Sequence, residues 1–164
     1  MTQDQIQDIL RLHALWLNNL PDGVRADLTD ANLSRLDLSY VNLHDANMRG
    51  TNLSHSNLKG ADLSLTDLHG ANLSSADLTG ANLSYTYLNA SNLHATKLYG
   101  ANLKGAYLNS THLDNCDFTG TSNTNTTFLV GPPSPHTHAQ DPSQPRPDRG
   151  SPDLHTPHRH TKST

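Results

Sequence analysis

Eleven histidines give this 164-residue chain its most obvious potential for chemistry, because imidazole is a common metal ligand. Towards the C-terminus, His136 and His138, and then His155, His158 and His160, are spaced closely enough to bind Zn²⁺ or Ni²⁺ opportunistically. Such sites rarely function without cysteine ligands or a rigid frame. Five further histidines do not have metal-ligand spacing, and we predict that they are solvated: His44, His55, His69, His94 and His112.

Aspartate supplies every acidic side chain, because the sequence has no glutamate. A catalytic carboxylate pair needs a cleft that separates the two pKa values. Six aspartates are instead spaced by multiples of five residues, a pattern that favours a solvated face: Asp27, Asp37, Asp62, Asp67, Asp77 and Asp117. The chain has no Gly-rich phosphate loop, metalloprotease motif or nucleophile elbow. We therefore predict no catalytic, cofactor or metal site, and an enzyme is the function class that the sequence favours least.

The composition argues against several other classes. A net charge of −4 leaves no clustered Lys and Arg for direct binding of nucleic acid. The N-terminus lacks the basic start and apolar run of a signal peptide, and no segment is apolar enough to cross a bilayer. The single cysteine, Cys116, cannot form an internal disulfide and fits a reducing compartment. We predict a cytoplasmic protein with no nucleic-acid or membrane partner.

A five-residue repeat runs without a break from Ala26 to Gly120, a stretch of nineteen units. Every unit has Leu, Met or Phe at its centre, and fifteen have Asn or Asp immediately before the centre. Seventeen have Ala, Ser, Thr or Cys two residues before the centre; Leu36 and Val41 are the exceptions. So strict a period decides the architecture before any propensity argument. The hydrophobic content of 34% also fits a repeat protein, in which each unit buries only one or two side chains.

A period of five matches neither regular secondary structure. On an α-helix, successive centres would rotate by about 140° per unit, and on a flat strand they would alternate between the two faces. An extended chain that turns a corner once per unit places the small and central residues inside and the residue between them outside. Seven glycines lie two residues after a centre, where a corner resembling a type II turn needs positive φ: Gly50, Gly60, Gly70, Gly80, Gly100, Gly105 and Gly120.

The motif A(D/N)LXX, as at residues 71–75 and 101–105, resembles the repeat of the pentapeptide-repeat family. The resemblance implies an all-β solenoid, a right-handed quadrilateral β-helix of about five coils, with no known catalytic role for the repeat itself. Residue n would then stack on residue n+20, in a column about 24 Å tall for five coils. Cys116 would be an inert buried thiol, and one column would form an amide ladder: Asn32, Asn52, Asn72 and Asn92.

The first 25 residues are predicted to form a helix and a turn that cap the β-helix. Thr2 and Gln5 have the spacing of a capping box, and Pro21 begins a stop signal. The wide apolar stripe of this helix must dock on something, and we expect it to cover the first coil through Ile6, Leu10 and Leu17. Residues 13–28 also resemble the capped entry of some bacterial pentapeptide proteins.

The rest of the chain divides in two. Residues 26–130 are predicted to form the β-helix, with Phe128, Leu129 and Val130 covering its last coil. Residues 131–164 hold eight of the nine prolines and five of the eleven histidines. This segment has too few apolar residues to offset the entropy of ordering, so we predict a disordered Pro/His-rich tail.

Three tyrosines are the candidate contact residues of the predicted surface. Tyr87 and Tyr107 replace the usual Asn or Asp and lie twenty residues apart, so they should stack on one face, and Tyr85 lies at the preceding corner. Tyrosine is enriched at the centres of protein interfaces, and an exposed pair on a polar solenoid is therefore a candidate contact patch. The alternative is that the pair only stabilises its own ladder.

The sequence favours a non-enzymatic interaction or scaffold protein that presents one β-helix face to an unidentified protein partner. No second helix follows Gly120, so the last coil is also a candidate for an end-to-end homodimer. The alternative function is a DNA mimic that inhibits or protects a type II topoisomerase such as gyrase, as some pentapeptide proteins do. Residues 21–120 carry ten Asp against six Lys and Arg, a net of −4, which is sparse beside duplex DNA.

Overall fold

The computed structural model describes residues 1–127, which form one helix followed by a continuous coil. Helix α1 is Gln3–Leu17. Up to Thr127 the coil has no extended strands, because each side is so short that it pairs with the next coil through a single residue. The seventeen described bridges run from Asp27↔Asn47 to Tyr107↔Thr127. Our predictions for residues 128–130 and for the tail, residues 131–164, lie outside the described residues.

Every bridge is parallel and joins residue n to residue n+20, so four units make one coil. The predicted stacking period is therefore confirmed. Around Asn72, for example, its N–H donates to the carbonyl of Thr51 at 2.9 Å, and its carbonyl accepts from Leu53 N–H at 2.7 Å. The corner N–H donates to the coil above as well, as from Ser75 to His94 O at 2.9 Å. The repetition of these bonds in successive units compensates for the shortness of each side.

Each unit ends in a tight turn, in which the carbonyl of the central residue accepts from the N–H three residues later, as between Leu28 and Ala31 at 3.0 Å. The third residue of each turn has positive φ, at the seven predicted glycines and also at the non-glycine corners. Leu65, for instance, has φ 58°. Because an L-residue in this region is strained by about 1–2 kcal/mol, the non-glycine corners are held by the stacking above and below them.

The central leucines form a continuous interior with 0–2% of their surface exposed from Leu28 to Leu108. Buried Ser and Thr beside them donate to backbone carbonyls; Thr96 Oγ1, for example, lies 2.8 Å from Leu73 O. Among residues 1–127, no buried side-chain N or O atom is left without a hydrogen bond. The hydroxyls at the small inward position therefore stay inside without a desolvation penalty.

The outward Asn and Asp side chains bind their own corners. Asp37 Oδ1 accepts from Ser39 N–H at 3.1 Å. The hydrogen bond from the Ser39 hydroxyl, and to a smaller extent this backbone bond, holds the pKa of Asp37 below its usual value. Amides also donate down the columns, as from Asn57 Nδ2 to Asp37 Oδ1 at 2.9 Å. In the predicted all-Asn column, the described contact is a long one, 3.5 Å between Asn72 and Asn52. A shorter ladder runs through another column: Asp62, Asn82 and Asn102.

Helix α1 covers the open lower edge of the first coil. The capping box predicted at Thr2 and Gln5 is present, with both hydrogen bonds formed. Ile6 is fully buried in the core, and Ile9 and Leu10 pack against it, whereas Leu17 is half-buried and lies outside this cluster.

No coil lies below the first one to donate to its carbonyls, and the N-terminal residues supply donors instead. The Met1 amino group donates to Asn32 O at 3.0 Å, and Gln3 Nε2 donates to Asp37 O at 2.9 Å. The cap is therefore hydrogen-bonded to the β-helix edge as well as packed on its core.

His13 joins the helix to the coil and is fully buried. Its Nδ1 accepts from Ala26 N–H at 3.1 Å, so the proton lies on Nε2, which donates to His44 O at 3.1 Å. The Trp16 ring stacks on the imidazole with centroids 5.4 Å apart. Burial lowers the pKa of His13, against the hydrogen bond to His44, which raises it.

We expect this neutral histidine to make stability fall in mild acid. The unfolded-state pKa is about 6.5 and the folded pKa is lower, so its contribution is complete above pH 6.5. It declines as the pH falls below that value and levels off below the folded pKa. Arg25 and His44 face the ring and oppose its protonation, while Asp45 favours it. The free energy of unfolding of wild type and of His13→Asn, measured with urea between pH 5 and 8, tests this expectation. An equal dependence of this free energy on pH in the two proteins would contradict it.

Candidate functional site

Tyr87 and Tyr107 form a stacked aromatic pair on one outer face of the coil. Their rings are parallel within 3° and their centroids lie 5.1 Å apart, close to the spacing of about 4.8 Å between neighbouring strands. The bridge between the two residues fixes this register. Their exposed fractions are 43% and 38%, so a large part of each ring faces solvent.

Tyr85 and Leu65 extend this surface around the adjacent corner. Both lie at the positive-φ position of their units, one coil apart, and both are exposed. The Tyr85 ring lies over Gly105, where a Cβ atom would come within 2.6 Å of the ring. A glycine at this position therefore leaves room for the aromatic ring against the next corner. We call the surface formed by Leu65, Tyr85, Tyr87 and Tyr107 the tyrosine face.

A shallow groove runs beside Tyr87 between the tyrosine face and the first coils. Leu65, His69 and Asn89 line it near the ring. Two exposed ion pairs line its lower part, Arg25–Asp45 at 2.9 Å and Arg49–Asp67 at 3.0 Å. Exposed pairs of this kind contribute at most about 1 kcal/mol, but they neutralise the charge next to the aromatic surface.

The other exposed tyrosines stand alone. Tyr40 is 80% exposed and lies over Gly60 at a different corner, and Tyr99 is 56% exposed. Among residues 1–127, the stacked tyrosine pair is Tyr87 and Tyr107. The tyrosine face is therefore distinguished from the rest of the coil by the clustering of its rings.

The histidines predicted to lie outside are distributed over several coils. His55, His94 and His112 are exposed, whereas His44 and His69 are half-buried. His44 Nδ1 lies 2.8 Å from Ser64 Oγ. Within residues 1–127, no three His, Cys or Asp side chains lie close enough to hold a metal ion. The histidines of the tail fall outside the described residues.

Cys116 lies at the small inward position, but it is half-buried rather than buried, since it belongs to the last described coil. Its Sγ donates to Leu93 O at 2.8 Å. Burial raises the pKa of the thiol to about 12, so at neutral pH it carries no thiolate that could act as a nucleophile.

His13 is the residue whose role the sequence pattern missed. It lies at helical spacing among the apolar residues of α1, yet it is the polar link between cap and coil. Its neighbours are close only in space, with His44 thirty-one residues away in sequence.

The described residues thus form a repeat protein in which the tyrosine face lies on the outside of a stacked coil. The family model for pentapeptide repeats matches eight copies over residues 24–54, 46–84 and 86–122. The chain belongs to the pentapeptide-repeat family, whose members form a right-handed β-helix and generally serve as structural or interaction modules.

Several solved structures are similar to this chain. Rfr23, a pentapeptide repeat protein from the cyanobacterium Cyanothece 51142, is 32% identical over 60% of this chain and 64% of its own, with a TM-score of 0.42. A pentapeptide repeat protein from the Arabidopsis thaliana thylakoid lumen is 30% identical over 68% and 71%, with a TM-score of 0.42. QnrB1, a plasmid-mediated fluoroquinolone resistance protein, is 20% identical over 64% and 63%, with a TM-score of 0.44. The chain therefore spans less than two thirds of the length of Rfr23.

No curated protein matches the chain in sequence. The described part of the chain contains no helix with the length and apolar character that a bilayer crossing requires.

Proposed function

We propose that this chain is a non-enzymatic interaction module that binds a protein partner through the tyrosine face. The observation that carries the proposal is the parallel Tyr87–Tyr107 pair, which leaves about two fifths of each side chain exposed on a polar coil. Stacked rings are large and rigid, so little conformational entropy is lost when a partner covers them.

The coil supports such a role because it holds its outer side chains in fixed columns. The backbone of each tyrosine makes two hydrogen bonds to the coil below; Tyr107 N–H, for example, donates to Thr86 O at 2.9 Å, and its carbonyl accepts from Leu88 N–H at 2.8 Å. A partner that matches the spacing of this face can bind without reorganising it, which favours affinity. The neutralised ion pairs beside Tyr87 make shape and aromatic contact, rather than net charge, the basis of recognition.

The alternative is that the tyrosine pair only stabilises its own ladder. An aromatic pair contributes about 0.5–1.5 kcal/mol beyond its buried area, so a purely structural role predicts a measurable loss of stability and no change in binding. A role in binding predicts loss of the partner from a protein that remains folded.

We expect Tyr87→Asn/Tyr107→Asn to lose the bound partner while keeping a cooperative unfolding transition, because Asn is the usual residue at this position of the repeat. Affinity capture with wild-type and variant chains, followed by quantitative mass spectrometry, measures the loss. Tyr40→Asn is the matched control, since it removes one exposed ring from a different corner. A partner set that is the same for wild type and the double variant would contradict the proposal.

The acidic charge of the coil gives little support to the alternative function, a DNA mimic that acts on a type II topoisomerase. Duplex DNA carries one charge per about 1.7 Å, so a coil of about 24 Å would have to match roughly fourteen phosphates. Asp45, Asp67 and Asp77 are instead paired with Arg or Lys within 4 Å. We expect no effect on gyrase supercoiling; inhibition or protection by micromolar protein would favour the alternative.

An end-to-end homodimer through the last described coil is a second proposal about partners. The N–H groups of Leu113 and Phe118 have no backbone partner within residues 1–127, and both side chains are only partly buried. A second copy could pair with this edge as the next coil would. Sedimentation velocity over a range of concentrations tests it, and a monomer at every concentration would exclude it.

A further inference from the structure

The described chain ends on the tyrosine face. Thr127 pairs with Tyr107, which pairs with Tyr87, so these three residues occupy one column. Residue 128 therefore continues from a point one rung above the stacked rings. Whatever follows Thr127 starts within a few ångströms of this exposed aromatic surface.

The sequence that follows is rich in proline, and four residues separate it from Thr127. Residues 132–147 contain six prolines: Pro132, Pro133, Pro135, Pro142, Pro145 and Pro147. Two pairs, 132 with 135 and 142 with 145, are three residues apart, which is one turn of polyproline II. Gly131 precedes the first proline, and a Gly-Pro step favours a change in chain direction.

The tyrosine face has the chemistry that recognises such a segment. Aromatic surfaces bind polyproline II because the pyrrolidine rings lie flat on them and little entropy is lost. Proline has no N–H, so the segment presents more hydrogen-bond acceptors than donors. The hydroxyls of Tyr87 and Tyr107 have no hydrogen-bond partner within residues 1–127, so both can donate to its carbonyls.

The tether is long enough for an intramolecular contact. Residues 128–131 span at most about 13 Å when extended, and the two ring centroids are only 5.1 Å apart. Covalent attachment over so short a distance sets an effective concentration of about 1 mM, so an intrinsic dissociation constant near that value gives half occupancy.

We propose that the proline-rich segment, residues 132–147, folds back onto the tyrosine face of its own chain and binds it in the polyproline II conformation. The segment and a protein partner would then compete for the same rings. The inference uses the surface named in the proposed function, but it does not require any partner, so its test is made on the purified full chain alone.

The test measures the distance between the segment and the face in the 164-residue chain. Cys116→Ala removes the native thiol, and Ala139→Cys carries a nitroxide spin label between the two proline clusters. Paramagnetic broadening of the amides of residues 87 and 107 is compared with that in the same chain carrying Tyr87→Asn and Tyr107→Asn. An intrinsic dissociation constant of about 1 mM or less keeps the segment on the face at least half of the time, and the broadening should then be at least about twofold greater with the tyrosines present.

Two further variants control for folding and for the choice of face. Pro132→Ala/Pro133→Ala/Pro135→Ala leaves the described coil unchanged and should reduce the broadening to the level of the double tyrosine variant. Tyr40→Asn should leave it at the wild-type level. Equal broadening in the wild-type, tyrosine-variant and proline-variant chains would reflect the tether alone and overturn the proposal.

A mixed sample distinguishes the chain's own segment from that of a second copy. Here the ¹⁵N-labelled chain carries no spin label and the spin-labelled chain carries no ¹⁵N. Absence of broadening at residues 87 and 107 supports the intramolecular contact, and broadening there would overturn it in favour of a second copy. The two proposals can fail separately. A double tyrosine variant that keeps its partner set but loses the broadening would contradict the proposed function alone. A double tyrosine variant that loses the partner but keeps the broadening would contradict this proposal alone.

Discussion

Leu73→Asp is expected to abolish soluble folding of the chain. Leu73 is fully buried in the third coil, between Leu53 below and Leu93 above, which are also fully buried. Removing the side chain forfeits about 1.5–3 kcal/mol of burial, and an uncompensated carboxylate inside the core adds a penalty of several kcal/mol. Together these approach the whole stability of a typical domain, about 5–15 kcal/mol.

The coil cannot isolate the damage to one rung. Leu73 N–H donates to Asn92 O, and the Leu73 carbonyl accepts from Ala76 N–H and Thr96 Oγ1, so a displaced backbone here breaks the pairing with the coil above. Because each coil of a solenoid is stabilised by its neighbours, a break in the middle leaves two short stacks with open edges.

Ser75→Asp is the matched control for this substitution. It adds the same carboxylate two residues further on, at an exposed corner with φ 57°. Aspartate already occupies that corner position at Asp30 and Asp45, with φ 55° and 56°. Soluble yield, circular dichroism and urea unfolding compare the two proteins. A cooperative transition of Leu73→Asp near that of Ser75→Asp would refute the assignment of Leu73 to the core.

The interior could be predicted from sequence because the period alone determines it. A five-residue repeat with one corner per unit places Leu53 and Leu73 inside, whatever the residues between them are, and the four-sided coil that the family resemblance implies then stacks one on the other. The inward hydroxyls follow as well, since Thr96 stands where other units have alanine. The positive φ at Leu65 could not be read from residue type; it follows from the position of that residue in the repeat.

The rest depended on contacts that the repeat does not encode. His13 lies on an apolar stripe in sequence, and only the docking of α1 brings it to Ala26 and His44. The amide ladder was expected in the all-Asn column, yet shorter bonds form where a carboxylate, Asp62, lies directly below an amide and accepts from Asn82 at 3.1 Å. A carboxylate has only acceptor sites towards an amide above it, so such a column orients its amides more strictly.

The stacking of Tyr87 on Tyr107 could be predicted from the sequence, but a role of the pair in partner contact could not. The n+20 register brings the two rings together in any chain of this repeat, so the stack by itself could be purely structural. What favours a role in contact is the environment that the register does not specify: the neighbouring Tyr85 and Leu65, which are both exposed. Together with the pair, these residues lie in three different coils and share a face only because the coil is square.

Ile6→Asp is expected to uncap the β-helix. Ile6 is the fully buried residue of α1 that enters the core, and loss of such a side chain costs about 2–5 kcal/mol before the carboxylate is considered. If α1 detaches, the carbonyls of Asn32, Asp37 and His44 lose the donors that now cover them.

The consequence should be association as well as lower stability, since the exposed first coil is an unpaired β-edge, and such edges pair with other chains. Gln7→Asp adds the same charge one residue later on an exposed side of α1 and is the control. Urea midpoints and light scattering at several protein concentrations compare the two variants. If Ile6→Asp stays monomeric with the midpoint of Gln7→Asp, the helix does not stabilise the first coil, and the β-helix must tolerate an open lower edge.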